Sequence, residues 1–169
     1  MSISFKFFLN NIIIYGDSEE SSDDLKAYLE SDLSTFELGL VKFCHANDSE
    51  VSFFFGEKWI LLDLWYDIYE LVKHESSFAI SALKNKRKMS FDFPKNRWEV
   101  SSQKYYDNKV QLKCWAYGGA CDEYFIECNV DELINELIQL ASNVISLAIK
   151  GGYVDRESSN KFLANLRIL

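Results

Sequence analysis

The chain has 169 residues and a formal net charge of −8; 48% of residues are hydrophobic and 15% aromatic, enough for a real core, which excludes a disordered chain. That length fits about one domain, residues 1–169, and one proline with seven glycines leaves no stretch that reads as a flexible linker. A chain this acidic also opposes a general approach to nucleic acid.

Residues 3–9 alternate polar and apolar, and Ile12, Ile13, Ile14 and Tyr15 run up to a turn at Gly16-Asp17. The expectation is one long bent strand or a hairpin over 3–15. This start has neither a long apolar run nor a small-residue cleavage site, so it does not read as a signal peptide and a cytoplasmic location is expected. Residues 17–24 form a polar segment that ends in a helix start, with Ser21 or Ser22 as cap and acids in the first turn. Leu25, Tyr28, Leu29 and Leu33 then share one helical face. Residues 36–44 and 51–55 are rich in β-formers and are expected to pair across a turn at Asn47-Asp48-Ser49.

The stretch 58–74 carries Trp59, Leu62, Trp65, Tyr66, Tyr69 and Val72 at helical spacing, yet Ile60, Leu61, Leu64, Ile68 and Leu71 make it apolar on more than one side. That pattern belongs to a largely buried helix, with an opening strand through 59–62 as the alternative. From 89 to 128 the pattern is antiparallel sheet, with strands at 90–93, 97–102, 109–117 and 122–128. The last two alternate cleanly: Val110, Leu112, Cys114 and Ala116 on one face, and Tyr124, Ile126 and Cys128 on the matching one. Phe91 and Phe93 alternate with Ser90 and Asp92 and are expected in the core. Asn129 caps a long helix over 130–150, with Glu132 as the capping-box partner, a core stripe of Val130, Leu133, Ile134, Leu137, Ala141, Val144, Ile145 and Ala148, and a stop at Gly151-Gly152. A shorter helix at 155–166 closes the chain. The fold class is therefore α+β, an antiparallel sheet packed against several helices. No apolar run approaches the roughly 18 uncharged residues of a membrane span.

Chemistry is harder to find. Cys44, Cys114, Cys121 and Cys128 fit no zinc-knuckle spacing and read as reduced core thiols. No phosphate loop, nucleophile elbow or His-Glu-x-x-His motif is present, so neither a cofactor nor a catalytic set is expected. Asp63, Asp67 and Glu70 lie about one helical turn apart in an apolar segment, the pattern of a hydrolase carboxylate site, though the exposed edge of a helix is the plainer reading.

Charge is segregated along the chain. Residues 1–50 hold ten acids and three bases, whereas 84–113 hold nine bases and three acids. The basic segment 84–97, Lys84-Asn85-Lys86-Arg87-Lys88 with Lys95, Arg97 and Trp98, is a candidate nucleic-acid contact. The acids concentrate in 17–37, where eight carboxylates face one Lys26. Such a cluster either keeps the protein dissolved or attracts a cation-rich partner.

An acidic single α+β domain with reduced cysteines, abundant aromatics and no catalytic motif resembles the bacterial immunity proteins of contact-dependent and polymorphic-toxin systems. The resemblance spans the whole chain in character and rests on no shared motif. It implies a non-enzymatic inhibitor whose partner is a basic toxin domain, a nuclease. On that reading Asp17, Glu19, Glu20, Asp23, Asp24, Glu30 and Asp32 steer the encounter, and Tyr28 and Trp59 are aromatic anchors.

Overall fold

The computed structural model describes residues 4–9, 12–15, 25–27, 31–118 and 122–169. Within them the chain forms two antiparallel sheets with helices packed against them, so the α+β class holds. The first sheet has strand order β1 (Phe5–Phe8), β2 (Glu50–Phe55), β3 (Lys58–Asp63). The second has order β4 (Ser90–Phe93), β5 (Trp98–Tyr106), β6 (Lys109–Ala116), β7 (Glu123–Asn129). All four strands read in 89–128 are present, and their inward residues Phe91, Phe93, Val100, Val110, Leu112, Cys114 and Cys128 are buried.

The amino-terminal half departs from expectation. Only Phe5–Phe8 is strand, and residues 12–15 are irregular rather than the far arm of a hairpin. Of the helix read after residue 24, residues 25–27 are helical with Leu25 buried, whereas Leu33 lies outside any helix. The larger correction concerns 36–44, which is not a strand but the core of helix α1 (Thr35–Ala46). Ser34 caps it: the Glu37 amide donates to Ser34 Oγ at 3.2 Å and the Ser34 amide donates to Glu37 Oε2 at 2.9 Å, a reciprocal pair that satisfies two otherwise orphan donors. Phe36, Leu40, Phe43 and Cys44 then fall at helical spacing and are buried. At Gly39 a Cβ would sit 2.1 Å from the Tyr153 carbonyl oxygen, so only glycine admits this approach between α1 and the turn that follows the long helix.

Strand β2 consequently pairs with β1 and β3. A two-residue turn joins β2 to β3, with Gly56 at φ +65° in its first position, the glycine-first hairpin geometry. The opening strand in 58–74 is thus real, and helix follows at once: π-helical segments Leu64–Ile68 and Leu71–Glu75 run into α2 (Ser76–Lys84). The wider turns suit a sequence apolar on several sides, because Leu64, Trp65, Ile68, Tyr69, Leu71 and Val72 are all buried.

The two sheets meet through phenylalanine rings. Phe5 lies 6.3 Å from Phe91 and Phe53 lies 5.5 Å from Phe93 between ring centroids. Helix α3 (Val130–Lys150) packs against β1, β7 and the other helices with every residue of its expected stripe buried. Asn129 Oδ1 accepts from the amides of Asp131 and Glu132. The helix is long and apolar enough by length and mean hydropathy, 1.2, to cross a membrane, yet its apolar stripe lies in the core. On its wetter side Glu136 Oε1 accepts the Phe7 amide at 3.0 Å, occupying a donor on the open edge of β1. Helix α4 (Arg156–Ile168), capped by Asp155, closes the chain.

Candidate functional site

Strand alternation sets the first sheet's two faces. Phe5, Phe7, Val51, Phe53, Phe55, Ile60 and Leu62 point inward, so Lys6 and Phe8, Glu50, Ser52 and Phe54, and Trp59, Leu61 and Asp63 point outward. Register then places Phe54 opposite Trp59, Ser52 opposite Leu61, and Glu50 opposite Asp63. The Trp59 ring gathers its neighbours, with Phe8 at 5.3 Å and Phe54 at 4.9 Å between centroids. Trp59 is nevertheless 55% exposed and Leu61 51% exposed. Two large apolar side chains held open on a strand whose other face is fully packed form a rigid contact patch.

The patch ends in carboxylates. Glu50 and Asp63 are direct cross-strand neighbours of like charge. Asp63 Oδ1 accepts the Tyr66 amide at 2.9 Å and its Oδ2 lies 3.3 Å from Lys95 Nζ. Asp48 Oδ1 accepts the Trp65 amide at 3.1 Å. Partial removal from water, and then the nearby Asp63, push the Asp48 carboxyl up to about 6. Between these groups lies a recess of about 240 Å³ that Leu61 and Leu62 also line.

Among the carboxylates singled out in the sequence, Asp67 is fully buried, which corrects the exposed-edge reading. It accepts hydrogen bonds from the Asp63 amide at 3.0 Å, the Lys95 amide at 3.0 Å and the Asn96 side-chain amide. Burial raises its pKa against the pull of those donors. Asp67 ties the end of β3 to the β4–β5 turn; its oxygens are committed to the fold. Glu70 is half-buried on the following turn.

A different carboxyl pair comes together at the β4 edge of the second sheet. Glu75, Asp92 and Glu99 line a cleft of about 420 Å³ with Trp115 and Tyr117. Burial, followed by the adjacent Asp92, pushes Glu75 up to about 8. Tyr117 donates its hydroxyl to Asp92 at 3.3 Å. The raised Glu75 carboxyl favours its protonated form beside Asp92. Among the described residues no group of three or more His, Cys, Asp or Glu side chains is placed to hold a metal ion.

Asp17, Glu19, Glu20, Asp23, Asp24, Tyr28, Glu30 and Cys121 lie outside the described residues; Asp32 is exposed just before α1. Lys84, Lys86, Arg87 and Lys88 are exposed at the end of α2, while Phe91 and Phe93 are core residues that no base can stack on. Burial raises the thiols of Cys44, Cys114 and Cys128, as befits inert core cysteines.

Sequence reasoning found Trp59 but missed Phe8, Phe54 and Leu61 beside it. A strand reading of 58–63 was the available signal, since it alone puts Trp59, Leu61 and Asp63 on one face. No family model matches the chain, and neither a curated protein nor a solved structure was found to match it.

Proposed function

We propose that this protein binds and neutralises a basic protein partner, in the manner of a toxin-immunity protein. The observation that carries the reading is the open aromatic face of the first sheet, centred on Trp59 and Leu61 and bordered by Asp48, Glu50 and Asp63. Charge and apolar surface divide the work. Long-range attraction from a −8 chain, with its carboxylates dense in 17–37, accelerates encounter with a cationic protein. Desolvation of rigid aromatic and aliphatic side chains then slows dissociation. A nuclease toxin suits this division because its phosphate-holding cleft must be basic.

The test is association, by stopped-flow and calorimetry, with any basic polypeptide that is found encoded beside this chain. The expected association rate falls steeply between 50 and 300 mM salt, by about ten-fold or more, and falls again on reversing Asp23 and Asp24 to lysine. An association rate indifferent to salt and to both reversals would refute the steering mechanism.

A further inference from the structure

We propose that the recess at the carboxylate end of the aromatic face receives one cationic side chain, an arginine or lysine, which the partner carries next to an apolar side chain seated on Trp59 and Leu61. The inference rests on the partner-binding reading above and names its chemistry at one place. Three carboxylates, Asp48, Glu50 and Asp63, converge on the recess, and Lys95 is the cation that lines it. That ammonium is engaged by Asp63 at 3.3 Å and by the Tyr66 ring at 4.5 Å, which leaves the rim net negative. Leu61 supplies an apolar wall along which the methylenes of a long basic side chain can lie while its head meets the carboxylates. At about 240 Å³ the space is below the roughly 300–1,000 Å³ of small-molecule pockets and suits a single side chain. Leu61 belongs to both the recess and the open face, so a residue in one and its neighbour on the other are read together.

The crowding is visible in Asp48, whose carboxyl is held above the ordinary range by partial burial and by Asp63. An arriving cation relieves that repulsion. A second copy of this chain, equally acidic, meets the same rim with the wrong sign.

The experiment titrates the isotope-labelled full chain with three capped tripeptides, acetyl-Leu-Arg-Leu-amide and its lysine and glutamate counterparts, and follows backbone amides and the Trp59 indole by NMR. Saturable shifts confined to residues 48–63 and their neighbours Phe8, Lys95 and Asn96 are expected with arginine or lysine and not with glutamate. Glu50→Gln and Trp59→Ser, both at exposed positions, are each expected to weaken binding ten-fold or more. The inference is overturned if the arginine peptide shifts nothing in that range, if the glutamate peptide binds equally, or if neither variant changes the affinity. Shifts that depend on protein concentration without peptide overturn it too, because they put a second copy on the face. The two readings fail separately. If the basic polypeptide binds Glu50→Gln like wild type but Trp59→Ser weakly, the recess is wrong and the partner reading stands. If the peptide binds at the recess while no basic polypeptide associates, the recess stands and the partner reading falls.

Discussion

Replacing Glu75 with glutamine isolates one buried ionisation. Folding moves this carboxyl from its ordinary 4.5 up to about 8, through burial and the adjacent Asp92. The folded state therefore holds a proton that the unfolded chain releases. Between about pH 4.5 and 8 unfolding gives up to one proton, so stability falls as pH rises across that window, by at most about 1.4 kcal/mol per pH unit. The full excursion corresponds to a ceiling of about 5 kcal/mol. The cleft opens to solvent, which screens the repulsion, and a difference of about 2 kcal/mol is the working expectation. Glutamine keeps the shape and a donor for Asp92 but has no proton to lose. Urea unfolding followed by tryptophan fluorescence at pH 5, 6.5 and 8.5 gives the comparison. The wild type is expected to lose stability relative to Glu75→Gln as pH rises, the two coming closest near pH 5. Parallel pH dependence in the two proteins would refute the assignment of the bound proton to Glu75.

Two further substitutions probe the architecture. Gly39→Ala improves helix propensity by about 1 kcal/mol, yet its Cβ meets the Tyr153 carbonyl at 2.1 Å, so a net loss of about 1–3 kcal/mol in chemical denaturation is expected. Asp67→Ala strands the donors of Asp63, Lys95 and Asn96 in a buried site and is expected to cost about 3–5 kcal/mol, with Asp67→Asn costing less because one acceptor remains. An unchanged unfolding midpoint in Asp67→Ala would mean that the β3 end and the β4–β5 turn are held together by something else.

How much of this was legible depended on whether local pattern and tertiary contact agreed. In β6 and β7 the alternation around Val110, Leu112, Cys114 and Cys128 is unopposed, and strands, faces and buried thiols all follow from it. In 35–46 the same residues satisfy both periods. The Ser34–Glu37 cap decides for helix, and it was masked by the β-rich run behind it. Asp67 is the reverse case. Its spacing marks a helix edge, but its partners Lys95 and Asn96 come from a turn about thirty residues away, which no local pattern reports. The Glu75–Asp92 pair is non-local in the same sense. Trp59 stood out as an aromatic, but its companions became visible only once 58–63 was a strand, because period two rather than 3.6 assigns Leu61 to the same face.

The open face also bears on where affinity for the proposed partner would arise. Covering the exposed half of one tryptophan removes roughly 100 Å² of apolar surface and is worth about 2–3 kcal/mol. Leu61 adds a similar, smaller amount. The Trp59 ring needs little reordering on binding, since the inner face of β3 is packed and the ring already rests against Phe8 and Phe54. Carboxylates at the rim stay partly hydrated and add less to affinity, but they act over about a Debye length and discriminate by sign. Substitutions at Trp59 and Leu61 should therefore change dissociation, and substitutions among the carboxylates should change association. That separation follows from geometry and dielectric alone and holds for any basic protein proposed for the face.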